Sequence, residues 1–234
     1  MDKLTITSWP DWKDYTSFNQ EQIGAIDLFN IEVPKEYAKI WKDVSMAVQI
    51  KKARTHKLSK DKMLECFKQL IKRPYFLTLL AEEYNCKNIA EVGTAEGLQF
   101  YSFAHYLQGK SGHIWSCDLR DVRNKTYTEK YARNSTFCLG GSKRLSEVID
   151  EKIDLFYIDA SHQKGAVLDD VKNLLNQQSE NPVWIFDDFD ERFGCYEDIR
   201  SLCEKNKNFM VYRVGDAASG NPNHQVVIFG RILL

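Results

Sequence analysis

No apolar run in this chain approaches the roughly 20 residues that a membrane span requires, and the 234-residue sequence contains no internal repeat or low-complexity tract. The N-terminal stretch MDKLTITSWPDWKDY has neither the apolar core nor the small-residue cleavage site of a secretory leader. The formal charge is −1, so no global electrostatic argument favours nucleic acid or an anionic membrane as partner. No two of the six cysteines (Cys66, Cys86, Cys117, Cys138, Cys195, Cys203) form a C-x-x-C pair. At this chain length they read as reduced thiols of a cytosolic protein, not as a disulfide framework or a zinc site. The G-x-G-x-x-G signature of dinucleotide binders is also missing. An apolar content of 43% and a charged content of 28% are globular values. The length suits one α/β domain with a good core and an extension.

The texture changes along the chain. Residues 1–82 are mostly polar and helical in character, a helical extension or lid, and 83–234 form the main domain. From Asn88 onward, apolar strands alternate with amphipathic helices. NIAEVG, HIWSCD, STFCLGG, IDLFYID and PVWIFDD read as five strands, each followed by a helix, with RDVRNKTYTEKYARN a polar helix or long loop. FMVYRVG and QVVIFGRIL read as a terminal antiparallel pair around the turn DAASGNPN. The expected architecture is a doubly wound, Rossmann-like, seven-stranded and mostly parallel sheet that binds ligands at the carboxyl ends of its strands.

Two of those strands end in acid. IDLFYIDASH puts Asp159 and His162 past strand four, and VWIFDDFD puts Asp187 and Asp188 at the end of strand five. Adjacent parallel strands end on the same side, so three carboxylates and an imidazole converge on one sheet edge. Three carboxylates in one cleft repel one another unless something positive sits between them. A hard divalent cation such as Mg²⁺ is the usual answer, since it favours carboxylate oxygens and keeps positions open for water or substrate.

The turn after strand one, Glu91-Val92-Gly93-Thr94-Ala95-Glu96-Gly97, opens a helix. Gly93 permits a tight turn, and Gly97 lets a ligand approach the backbone at the helix start. Asp118, which ends strand two, can accept hydrogen bonds from both hydroxyls of a ribose. Together these residues resemble class I S-adenosylmethionine-dependent methyltransferases. More narrowly, they look like the metal-dependent small-molecule O-methyltransferases acting on catechols and on the sugars of antibiotics. The resemblance spans Asn88 to about Leu234. It implies that Glu91, Gly93, Thr94, Ala95 and Gly97 cradle the methionine part of the cofactor, with Gln99 near its carboxylate. Asp118 would hold the ribose, and Gly141 and Ser142 would meet the adenine. Asp159, Asp187 and Asp188 match the metal ligands, with Asp159 also beside the cofactor, and His162 falls where a general base stands. Strand five ends in Asp-Asp, as in the antibiotic-sugar group, where catechol-type enzymes have Asp-Asn.

The implied reaction is methyl transfer from the sulfonium to a hydroxyl of a small molecule, with no nucleic acid or membrane partner and with homo-oligomerisation left open. Methyl transfer is an in-line displacement, so the acceptor oxygen must be nucleophilic and aligned. A divalent metal would acidify the hydroxyl, and His162, neutral above its ordinary pKa of about 6.5, would take the proton. Plainer readings stand beside this one. Asp159, Asp187 and Asp188 could cap helices, and His162 could be an exposed cap residue. His105, inside an apolar helix, reads as a packed histidine. Trp9, Trp12, Tyr15 and Phe18 recur every three residues and read as packing, with a lid as the alternative. KKARTHKLSKDK reads as a solvated basic run. Asn181-Pro182-Val183-Trp184 precedes strand five, the wrong place for an amino-methyltransferase motif. A nicotinamide-dependent oxidoreductase and a non-catalytic binding protein on the same fold are the rival functions.

Overall fold

The computed structural model describes residues 31–55, 57–206, 208–215 and 222–234. Trp9, Trp12, Tyr15, Phe18, His56 and most of the DAASGNPN turn lie outside the described residues. Helices α1 (Lys35–Val44), α2 (Met46–Thr55) and α3 (Lys60–Glu83) precede the first strand. There follow β1 (Asn88–Val92), α4 (Leu98–Tyr106), β2 (His113–Asp118), α5 (Lys125–Lys130), β3 (Ser135–Leu139) and α6 (Ser142–Val148). The chain closes with β4 (Ile153–Ile158), α7 (Ala166–Leu174), β5 (Gln178–Phe186), α8 (Tyr196–Asn206), β6 (Phe209–Gly215) and β7 (Pro222–Phe229). The sheet order is β3-β2-β1-β4-β5-β7-β6. Strands β1 to β5 run parallel, and β7 lies antiparallel to both β5 and β6. The winding therefore reverses between β1 and β4, where a crevice forms beyond the strand ends.

Both faces of the sheet are covered, which is why its strands are apolar at successive positions. Ile89, Ile114, Leu155 and Ile185 point to one face, against Phe76, Leu77 and Leu80 of α3 and Phe100 and Phe103 of α4. Ala90, Trp115, Phe156 and Trp184 point to the other, against Leu145 of α6, Val171 of α7 and Ile199 and Leu202 of α8. The Phe156 and Trp184 rings stack 3.8 Å apart across β4 and β5. No helix among the described residues is long and apolar enough to cross a membrane.

Two sequence-based bounds move. Strand five begins at Gln178, ahead of PVWIFDD, because Ile153 already pairs with Gln178 before a register shift in the strand. The last strand runs from Pro222 and stops at Phe229, where Gly230 turns the backbone to φ +95°, so RIL is not part of it. The extension also proves to be more than an appendage at its end. Ser59 caps α3 by accepting from the Lys62 N–H at 3.3 Å. One stripe of α3 then joins the sheet core through Phe76, Leu77 and Leu80. Arg73 lies on that same stripe, three residues before Phe76 and four before Leu77. A charged side chain on the core-facing side of a helix must find partners there.

Candidate active site

The first half of the site is built from backbone. The Gly93 N–H donates to the Cys117 carbonyl at 2.9 Å, tying the β1 turn to β2. Gly93 has φ +99°, and a Cβ there would stand 1.8 Å from the Asp159 carbonyl oxygen. The turn after β1 thus touches the end of β4 with no room for any side chain. Ala95 takes the left-handed conformation, φ +46°, and aims its N–H at Asp118 Oδ2, 2.8 Å away. Asp118 Oδ1 accepts from the Arg120 N–H at 3.0 Å, so this carboxylate is fixed in orientation by main-chain donors. Behind the turn, Ser116 Oγ donates to Glu91 Oε2 and meets Thr94 Oγ1, both at 2.5 Å. Glu91 is 1% exposed. Burial pushes its carboxyl up to about 8, against the Ser116 hydrogen bond and with help from Asp118.

The second half is built from charge. Asp187 is 5% exposed, and its Oδ2 lies 2.7 Å from Arg73 Nη2. The same nitrogen lies 3.3 Å from Asp159 Oδ2 and donates to the Tyr157 hydroxyl at 2.8 Å. Tyr157 has one proton to share between Asp159 Oδ2 at 2.9 Å and Asp187 Oδ2 at 3.2 Å. Asp187 Oδ1 accepts from the Asp188 N–H at 2.9 Å. Burial opposes the charge on Arg73, yet Asp187, Tyr157 and Asp159 hold it protonated. Burial and the neighbouring Asp187 raise the Asp159 carboxyl well above the usual range, with Arg73 opposing.

Next to this knot sits a dyad. His162 Nε2 is 2.5 Å from Asp188 Oδ2. That hydrogen bond raises the imidazole pKa above its ordinary value, against burial and the nearby Lys52. The ring lies 4.5 Å from that of Phe193. The loop behind it is close-packed: Cys195 N–H donates to the His162 carbonyl at 3.1 Å, and a Cβ on Gly194 would come within 2.9 Å of that same oxygen. Asp188 itself holds φ +57°, a conformation that aspartate tolerates better than most residues. Asp159, His162 and Asp188 each offer a ligand atom within 4.8 Å of the others, a spacing and a donor set that can accommodate a divalent cation.

A cavity of about 400 Å³ connects the two halves and is lined by Glu91, Gly93, Thr94, Ala95 and Gln99, then by Asp159, His162, Asp187 and Asp188. Asp118, Gly97, Gly141 and Ser142 are not in its wall. Ser142 Oγ is turned away and accepts from Asn173 Nδ2 at 3.0 Å, so only its backbone is left for an adenine. Gln99 donates through Nε2 to the Pro74 carbonyl at 3.5 Å, while its buried Oε1 has no protein partner. The side-chain carbonyl is thus an acceptor awaiting a donor, which suits a cofactor's ammonium better than the carboxylate expected for it. The capping alternative fails for Asp187 and Asp188, because α8 starts only at Tyr196. His105 is the packed histidine expected, bonded to Gln108 Oε1 at 3.0 Å and edge-on to Tyr37.

Three pocket features escape the sequence reading. Arg73 supplies the positive charge between the carboxylates, the place assigned to a metal alone. Tyr157 links two of those carboxylates. Lys52, assigned to a solvated run, lines the cavity with Ser45 and Gln49, all on one side of the segment around α2. The burial of Arg73 had a signal, its place on the apolar stripe of IKRPYFLTLL. Its partners had none, because the sequence does not say where that helix docks.

Residues 90–189 match a family model described as a methyltransferase domain. No curated protein sequence matches the chain. Among solved structures, the chain is similar to an O-methyltransferase from Bacillus cereus in complex with S-adenosylhomocysteine (TM-score 0.60, 15% identity, covering 86% of this chain and 93% of that one). It is also similar to an O-methyltransferase from Streptomyces achromogenes involved in tomaymycin synthesis, in complex with S-adenosylmethionine (TM-score 0.59, 13% identity, 92% and 100%). A third is an S-adenosylhomocysteine-bound methyltransferase from Podospora anserina (TM-score 0.55, 14% identity, 88% and 92%).

Proposed function

We propose that this chain, a class I methyltransferase by its fold and by its residues 90–189, transfers the methyl group of S-adenosylmethionine to a hydroxyl of a small molecule with the help of a divalent cation. The observation that carries this reading is the juxtaposition at Gly93. At Gly93 the turn that would hold the cofactor meets the Asp159 backbone, so a cofactor held there would lie next to the Asp159, His162 and Asp188 cluster.

The cofactor half binds and orients. The turn from Glu91 to Gly97 would receive the methionine part, Gln99 Oε1 its ammonium, and Asp118 the ribose hydroxyls. The backbone of Gly141 and Ser142 would border the adenine. In the acceptor half, Asp159 and Asp188 would hold the cation, with Mg²⁺ the first choice because it prefers carboxylate oxygen. When bound, such an ion acidifies a coordinated hydroxyl. His162 would take the hydroxyl proton on Nδ1, since Nε2 is engaged by Asp188, and Asp188 would stabilise the imidazolium that results. The acceptor would be a small hydroxylated molecule of sugar or natural-product type, a reading supported by Ser45, Gln49 and Lys52, which line the same cavity as the carboxylates.

The test is methyl transfer from labelled S-adenosylmethionine across a panel of small polyols, sugars and catechols, with chelator and with Mg²⁺ restored. Transfer that stops in chelator and returns with Mg²⁺ is the expected result. Full transfer in chelator removes the cation, and cofactor binding without transfer across the panel favours a non-catalytic protein. Binding of NADH in preference to S-adenosylmethionine overturns the reading altogether.

A further inference from the structure

We propose that Arg73, delivered by α3, is a positioning residue that commits Asp187 to an internal ion pair, so that the divalent cation is held by Asp159 and Asp188 without it. The inference rests on the cation-assisted reading above and departs from the ligand set expected from sequence, in which all three aspartates bind the metal.

Both oxygens of Asp187 are engaged. Oδ2 is paired with Arg73 at 2.7 Å and lies 3.2 Å from the Tyr157 hydroxyl, while Oδ1 accepts the Asp188 N–H at 2.9 Å. To bind a cation through Oδ2, Asp187 would have to release a guanidinium that lies among buried residues, and through Oδ1 it would share one carboxylate between two positive charges. Stripping one partner from a buried ion pair is costly, because the remaining charge is uncompensated. Two cations on one buried carboxylate would also repel each other. Asp159 lies farther from Arg73, at 3.3 Å, with its Oδ2 accepting the neutral Tyr157 hydroxyl at 2.9 Å, and it shares with Asp188 and His162 the spacing that suits a cation. Arg73 is therefore placed to sort the three carboxylates: one for itself, two for the metal. The same contacts anchor α3 to the strand ends, so the helical extension helps to shape the metal site that it covers.

The experiment is Mn²⁺ binding to the full-length chain by calorimetry and electron paramagnetic resonance, with S-adenosylhomocysteine binding measured on the same samples. Asp159→Asn and Asp188→Asn should each weaken Mn²⁺ binding by about tenfold or more, and Asp187→Asn by less than about threefold. Arg73→Gln should release Asp187, so that adding Asp187→Asn in that background now weakens Mn²⁺ by about tenfold. Arg73→Lys keeps a cation there and should leave Asp187→Asn without effect. Should Arg73→Gln fail to fold, the comparison among the three aspartate variants still decides. An Asp187→Asn loss as large as that of Asp159→Asn overturns the proposal. So does a wild-type chain that binds S-adenosylhomocysteine but no Mn²⁺, an outcome that leaves the methyltransferase reading standing. Absence of S-adenosylhomocysteine binding in the folded wild type would instead sink the methyltransferase reading.

Discussion

The two halves of the cleft are made of different materials. Beyond β1 and β2, the proposed cofactor side is positioned by main-chain geometry, with Gly93 and a left-handed Ala95 whose N–H groups meet the Cys117 carbonyl and Asp118. Beyond β4 and β5, the proposed acceptor side is positioned by charge, with Arg73, Tyr157 and four further ionisable groups holding one another. The contrast separates what each half can tolerate. A site positioned by backbone is sensitive first of all to volume. A site positioned by buried charges is sensitive first of all to the loss of one partner.

Gly93→Ala should give the largest effect. Its Cβ would have to displace the Asp159 backbone, in a conformation that side chains rarely adopt, so loss of more than about 3 kcal/mol of stability is expected. Thermal melting and S-adenosylhomocysteine calorimetry check it, with Gly141→Ala as the control for melting because a Cβ there meets no protein atom within 4 Å. A Gly93→Ala variant that binds cofactor normally would break the distinction between the halves.

On the charged side, His162→Ala should lower kcat by about 10²–10⁴-fold with cofactor affinity nearly unchanged. Asp188 raises the imidazole pKa, so the wild-type rate should rise with pH through a value above the ordinary 6.5 of histidine. The variant should lose that limb. If it melts slightly earlier and turns over normally, His162 is structural, and the proton leaves by another route.

Asp118→Ala should follow, with cofactor affinity reduced about 10- to 100-fold as charge-assisted hydrogen bonds to the ribose disappear. Asp118 also accepts the Ala95 N–H, so part of that loss would come from a loosened turn. Asp118→Asn keeps an acceptor for that N–H and separates the two contributions. An unchanged affinity in both variants would take the ribose away from Asp118.

The same division explains what the sequence disclosed. Strands buried on both faces announce themselves as runs such as LFYI and VWIF, and a parallel sheet then carries Asp118, Asp159 and Asp187 to one edge. The turn glycines were legible because strand, Gly and helix follow one another locally. Arg73 was not, since its partners Asp159 and Asp187 lie 86 and 114 positions away and nothing in α3 encodes its docking. The direction of Ser142 was equally hidden, because it depends on Asn173 of a neighbouring helix. Local conformation is written in neighbouring residues, whereas the balance of a buried charge cluster is written across the fold.

Glu91 gives the smallest and most discriminating effect, because it is an ionisable group on the side that backbone geometry positions. Its carboxyl titrates near 8 in the folded chain, mainly through burial, against an ordinary value of 4.5. Between those values the folded state keeps a proton that the unfolded state has released. Stability contributed by the neutral group is therefore present in full below pH 4.5 and falls as pH rises towards 8, by at most about 1.4 kcal/mol for each pH unit. Glu91→Gln cannot ionise, so its melting temperature should decline less steeply than the wild type across that window, and the two should differ most near its upper end. A bound cofactor bearing a positive charge near Glu91 favours the ionised form. Saturating S-adenosylmethionine should then flatten the wild-type profile and release a proton, measurable as binding heat that depends on the ionisation enthalpy of the buffer. If wild type and Glu91→Gln fall in parallel with pH, Glu91 is already ionised in the fold, and the cofactor side also depends on charge.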